Sequence, residues 1–160
     1  MKKQKGFSLI ELLIVVAIIL IIAAIAIPNL IKSKMAANEA SAVGSIRTVN
    51  TGEVNYAASC PAIGFSASLT ELNTGALCAG GTGIIDNVLA GGAKSGYTFL
   101  AAAAGGTPNV TYYATGVPVT LNQTGIRSFC SFEDAVVRVQ PTGAAIAAES
   151  TCQALLPLNQ

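Results

Sequence analysis

The chain has 160 residues, of which 52% are hydrophobic and only 11% charged, and its formal net charge is +1. Such a balance excludes nucleic-acid binding by bulk positive charge, and the absence of histidine removes the commonest general base and metal ligand. Once the apolar segment near the start is set aside, the length leaves room for one modest globular domain.

That segment organises the rest. Between Leu12 and Ile27 no side chain is polar, and Phe7, Leu9, Ile10, Leu30 and Ile31 extend the apolar run on both sides. About 20 such residues rising ~1.5 Å each match a hydrocarbon core of ~30 Å, so residues 7–31 are expected to span a membrane, with lipid as their first partner. Glu11 stands near the start of the span, where a carboxylate costs up to ~2.5 kcal/mol or more toward the bilayer centre and less near the interface. It needs a partner. Ahead of it the basic run Lys2, Lys3 and Lys5 ends in Gly6, directly before Phe7. A secretory signal peptide would be cut after its apolar core, following small residues, and Ile25-Ala26-Ile27-Pro28 is a poor site for that. A plain uncleaved anchor fits the hydropathy but leaves Gly6-Phe7 and Glu11 without a purpose.

Taken together, KKQKGFSLIELLIVVAIILIIAAIAIPNLI closely resembles the start of the type IV pilin family, which includes type IV pilins and the pseudopilins of type II secretion. The resemblance covers roughly residues 1–35 and beyond them becomes one of architecture. It implies that a prepilin peptidase cuts after Gly6 and N-methylates Phe7, that Glu11 is the acid used in assembly, and that Pro28 kinks the helix. It also implies an inner-membrane assembly machinery and a helical homopolymer of the chain itself. The chain then divides into a leader (1–6), a transmembrane and assembly half of the helix (7–31), an amphipathic half (32–58) and a head (59–160). The lysines of the leader are expected to stay cytoplasmic and the head outside, although Lys32 and Lys34 weaken that bias. The even count of four cysteines suits an oxidising exterior.

Pro28 lacks the N–H that would bond the carbonyl of Ala24, which predicts a bend there. Beyond it Ile31, Met35, Val43, Ile46, Val49 and Val54 recur at mostly helical spacing, with Lys32, Lys34, Asn38, Glu39, Arg47 and Glu53 on the other positions. Gly44 and Gly52 each weaken this half by up to ~1 kcal/mol. The helix is expected to stop before Cys60-Pro61. A loop follows from Cys60 to Cys78, with a short helical turn at 68–72, and then a glycine-rich connector at 80–95 that lacks the context of a phosphate-binding loop. Strand signals fall at 97–101, 110–114, 117–121, 126–132 and 136–139, with breaks at Gly116-Val117-Pro118 and Glu133-Asp134. The fold class is α+β: a long N-terminal helix packed on a small antiparallel sheet of about four strands. Residues 125–139 also resemble the late strand pair of some members of the family. Of the three ways to pair four cysteines, Cys60 with Cys78 and Cys130 with Cys152 is the reading adopted, the second bridge pinning an otherwise loose tail over 150–160.

Chemistry is thin. No serine elbow, metal spacing or paired catalytic acids occur, so neither enzyme activity nor a cofactor or metal is expected. Glu133-Asp134 reads as a solvated turn, Asn109-Val110-Thr111 and Asn122-Gln123-Thr124 as chance glycosylation triplets, and Tyr112-Tyr113 as sheet packing. Two functions compete: a structural subunit that moves from the inner membrane into a surface or periplasmic filament, and a membrane-tethered extracytoplasmic binding module. Glu11 and the Gly6-Phe7 junction favour the first, because a tether needs neither. Within it a pilus subunit is preferred to a type II secretion pseudopilin. The chain has no tryptophan and so lacks the Asp-Pro-Trp-Gly turn, and the calcium-binding acidic cluster, that the resemblance associates with major pseudopilins.

Overall fold

A computed structural model describes residues 7–75 and 83–158. Helix α1 (Leu9–Ser59) runs past Pro28 and stops one residue before Cys60. The chain forms two compact units, one ending at Lys34 and the other beginning at Met35. In the first unit the described large apolar side chains from Phe7 to Ile31 are exposed. The most apolar stretch of α1 is wholly unburied, and among the described residues α1 is the one helix long and apolar enough to cross a membrane by length and composition. Its polar side chains after Pro28 turn back on the helix: Asn29 Nδ2 donates to the Ile25 carbonyl at 3.1 Å and Ser33 Oγ to the Asn29 carbonyl at 3.0 Å. This satisfies them locally.

The second unit is the α+β head. Its sheet is a meander of six strands in sequential order, every neighbouring pair antiparallel. These are β1 (Ala93–Lys94), β2 (Tyr97–Ala104), β3 (Thr111–Pro118), β4 (Ser128–Phe132), β5 (Arg138–Gln140) and β6 (Leu156–Pro157). The expected count of about four is therefore corrected to six. Two of the differences lie at the edges, where β1 and β6 are two-residue strands without any alternating pattern of their own. A third lies in the middle: the segments read as 110–114 and 117–121 are one strand, because Gly116 does not break it. Gly116 faces Phe99 across the β2–β3 pair, and a Cβ there would press on the Phe99 ring at 3.0 Å. Pro118 is tolerated because pairing with β4 ends at Gly116, so the strand needs no donor on that side.

The inner face of the sheet supplies Tyr97, Phe99, Ala101, Ala114 and Phe129 to a core completed by Ala42, Val43, Ile46, Val49 and Tyr56 of α1. The next residue of β4, Cys130, points the opposite way and is bonded to Cys152, with a Cα separation of 6.0 Å. Both cysteines are fully buried beside Ile146. The tail is accordingly a built element, with α4 (Glu149–Gln153) followed by β6, and is not a loose end. Cys60 is also disulfide-bonded, while Cys78, its expected partner, lies outside the described residues.

The segment after α1 has the short helical turn expected near 68–72 but departs from the expected connector. Ser68 caps α2 (Leu69–Thr74), accepting from the Glu71 N–H at 3.3 Å. Asp86 caps α3 (Asn87–Ala90), accepting from the Leu89 N–H at 2.8 Å, so residues 83–95 carry a helical turn and a strand where a connector was expected. The packing of this segment separates the two helical glycines. A Cβ on Gly52 would come within 3.3 Å of Ile85 and 3.5 Å of Ile84, whereas one on Gly44 meets nothing within 4 Å. Gly44→Ala should therefore stabilise the subunit by about 0.5–1 kcal/mol, and Gly52→Ala should not. Chemical denaturation of both variants reads the difference.

Candidate assembly site

Ser8 immediately precedes α1, and its carbonyl accepts from the N–H groups of Glu11 and Leu12 at 3.1 and 3.3 Å. In return the Ser8 N–H donates to Glu11 Oε2 at 2.9 Å. This is the carboxylate half of a capping box, which satisfies one of the orphan donors at the helix start and sets a negative charge at the positive end of the helix dipole. The pattern Ser8-Leu9-Ile10-Glu11 before an apolar run is the signal for it, and the sequence reading passed over it. Glu11 thus rests on a backbone N–H three residues back. Phe7 lies beside it with 83% of its surface exposed, and Gly6 lies outside the described residues.

Helical geometry gives the span two different faces. Leu9, Leu12, Leu13, Val16, Ala17 and Leu20 line a shallow apolar groove along one side. At ~100° per residue Glu11 falls nearly opposite, and Ile14, Ile18, Ile21, Ile22 and Ile25 continue its side. One face is leucine-rich and grooved; the other is a ridge of β-branched isoleucines headed by the one acid. Pro28 lies farther along the same helix. Cys60, Cys130 and Cys152 belong to the other unit.

Two further acids lie on α1 at positions the sequence reading set apart from its apolar residues, and both are buried. Glu39 is clamped: Oε1 accepts from the backbone N–H groups of Ile126 and Arg127 at 2.9 and 3.1 Å, and Oε2 accepts from Arg127 Nε at 2.9 Å and pairs with its terminal nitrogen at 2.7 Å. Asn38 Nδ2 donates to the Thr124 carbonyl at 2.8 Å beside it. These bonds also explain why β4 starts at Ser128 and not at 126, since the N–H groups of Ile126 and Arg127 are spent on Glu39. Burial by itself would raise the Glu39 pKa, but the Ile126 and Arg127 donors and the guanidinium charge outweigh it and hold it below the usual carboxylate value. A depressed folded pKa gives stability that is present above the ordinary value of 4.5 and is lost as pH falls through the folded one. Glu39→Gln should lower the denaturation midpoint at pH 7 and shrink that loss in acid, which midpoints measured from pH 7 down to pH 3 would show.

Glu53 is different. It is completely buried and accepts from the Ser66 N–H at 2.8 Å and from Ser66 Oγ at 2.7 Å. Asn50 joins α1 to the sheet, donating to Ser131 Oγ at 2.9 Å and accepting from Tyr112 Oη at 3.2 Å. Asp134 does sit in an exposed turn, but it accepts from the Val136 N–H and pairs with Arg138 at 2.6 Å, which is why β5 begins at Arg138. Among the described residues no group of three or more His, Cys, Asp or Glu could hold a metal ion.

The helix start decides the relationship. Residues 1–27 carry the prokaryotic N-terminal methylation motif. The motif thus takes in Gly6, Phe7, Ser8, Glu11 and both faces of the apolar span, and ends just before Pro28. The chain is similar to the type IV wide pilus major component PilA4 of Thermus thermophilus, with 59% identity over 39 residues, 24% of this chain and 30% of the relative. It is also similar to the type IV major pilin protein PilA of Myxococcus xanthus, with 44% identity over 54 residues, 34% of this chain and 24% of the relative. Each match therefore spans less than a third of the relative's own length. No solved structure gives a significant match.

Proposed function

We propose that the chain is a structural subunit of a type IV pilus, cut after Gly6, N-methylated at Phe7 and polymerised through its N-terminal helix. The observation that carries this reading is the methylation motif on a helix whose apolar side chains are unpartnered in the single chain and which has, up to Ile31, one charged residue, Glu11. Before assembly, lipid covers that surface, with the leader on the cytoplasmic side of the inner membrane. After assembly, other copies cover it. Cleavage turns the Phe7 nitrogen into a cationic amine at the positive end of the helix dipole, a costly charge away from water. Glu11 offers a partner. In the uncleaved chain its Oε2 is held by the Ser8 N–H, which leaves Oε1 to accept from another donor, the amine of an axially displaced neighbour.

The two faces of the helix suit a head-to-tail contact. A grooved leucine face and an isoleucine ridge are unlike surfaces, and a contact between unlike surfaces that does not close into a ring grows into a filament. Burial of the span drives assembly, while Glu11 sets the axial register. Pro28 provides the bend that fits the rod to its neighbours. Both relatives are named as major pilus components, which favours a pilus over a secretion pseudopilus. Deleting the chain should remove filaments from the cell surface and restoring it should return them, with the protein recovered in the sheared fraction. A protein that stays wholly in the membrane fraction of a filamented cell would point instead to the tethered binding module.

A further inference from the structure

The second unit contains an acid that neither assembly nor the fold's ion pairs use. Glu53 of α1 has no solvent exposure, its two hydrogen bonds come from one residue, Ser66, and none of the ion pairs among the described residues involves it. Ser66 Oγ also lies 3.2 Å from the Ser68 carbonyl, next to the cap of α2, an alternative acceptor for its one proton. Glu53 is thereby the polar tie between α1 and the segment that contains α2. Among the described residues no positive charge acts on it. Glu71 of α2 raises its proton affinity, and Tyr56 on its own helix and Tyr112 of β3 both feel its charge. Glu71 is itself occupied by the Ala67 N–H at 2.8 Å. The Tyr56 hydroxyl is buried without a hydrogen-bond partner, and burial, then Glu71 and Glu53, push its ionisation upward. An uncompensated carboxylate in such a place is costly, whereas a neutral carboxyl keeps the Ser66 bonds and adds a donor.

We propose that Glu53 is a proton-operated latch, fastening Ser66 and α2 to α1 when neutral and releasing them when it ionises. The inference goes beyond filament assembly and stands whether or not the chain polymerises. Its sign follows from linkage. Burial, and after it the charge of Glu71, outweigh the Ser66 hydrogen bonds and raise the folded pKa from 4.5 to about 7. Closure is then strongest below pH 4.5, weakens as pH rises toward 7 and is level above that. This runs opposite to the linkage at Glu39. Opening of the segment relieves the ionised group by letting water reach it, so the segment spanning Ser66 and α2 becomes the part of the head that responds to external pH.

The test is amide hydrogen exchange on the full chain in detergent micelles, corrected for the intrinsic pH dependence of exchange, at steps from pH 4.5 to 8. Amides of Ala67 to Gly75 should lose protection by ~100-fold across that range, those of β2 to β4 should not, and Glu53→Gln should make the response flat. Unchanged protection of Ala67 to Gly75, or a response that persists in Glu53→Gln, would overturn the latch. If Glu53→Gln does not fold, carboxyl-carbon NMR of the unaltered chain decides: ionisation of Glu53 near neutrality supports the proposal, and ionisation near 4.5 refutes it.

Discussion

Glu11→Gln should abolish or strongly reduce filaments while leaving membrane insertion and cleavage after Gly6 intact. Glutamine at the third helical position can still accept from the Ser8 N–H, so the variant keeps the capping geometry now made at 2.9 Å and loses only the charge. Glu11→Ala removes both. The cap contributes on the order of 1 kcal/mol to the helix start, small beside the burial of a ~20-residue apolar span, so neither variant should leave the membrane. Matched filament loss in the two variants would place the defect in the charge, and loss confined to Glu11→Ala would place it in the cap. The readout is the chain in sheared-surface and membrane fractions of the same cells. Normal filament yield from both variants would contradict the register role, and disappearance from the membrane would mean that Glu11 acts in insertion.

The second large effect is expected at the junction ahead of it. Gly6→Ala should slow maturation, and Gly6→Leu should block it, because a bulky side chain obstructs the approach of the peptidase to the bond before Phe7. A chain that keeps its leader carries Lys2, Lys3 and Lys5 and a net charge of +1; without them six basic residues face eight acidic ones. The uncut chain also lacks the Phe7 amine, so Glu11 has no cation to meet. Gly6→Leu should therefore accumulate in the membrane with its leader attached and yield no filaments. Filaments built of uncut Gly6→Leu chain would separate assembly from processing.

How much of this could be read in the residues differs by region. The apolar run, the basic leader, Glu11 and Pro28 are local patterns of fixed spacing, and α1 ends at Ser59 where Cys60-Pro61 predicts it. The fold class was equally legible, since Tyr97 and Phe99 in β2, Tyr112 and Tyr113 with β-branched neighbours in β3, and Phe129 and Phe132 in β4 mark the strands. The rest depended on distant partners. On a helical wheel Glu39, four residues after Met35 and four before Val43, and Glu53, four after Val49, fall on the buried stripe, and what spacing does not show is the donors 87 and 13 residues away that make their burial tolerable. The Ile126 and Arg127 donors also move the start of β4 to Ser128. Gly116 reads as a turn until Phe99 is placed across from it, and β1 and β6 exist because a neighbouring strand offers them an edge. The Ser8 to Glu11 cap is visible in the sequence as a serine three residues before a glutamate at the head of an apolar run.

The most direct test of the account is the intact mass of this chain taken from sheared surface filaments. The account predicts a single subunit that begins at N-methylated Phe7. A filament subunit that retains residues 1–6, or that begins anywhere else, would contradict it.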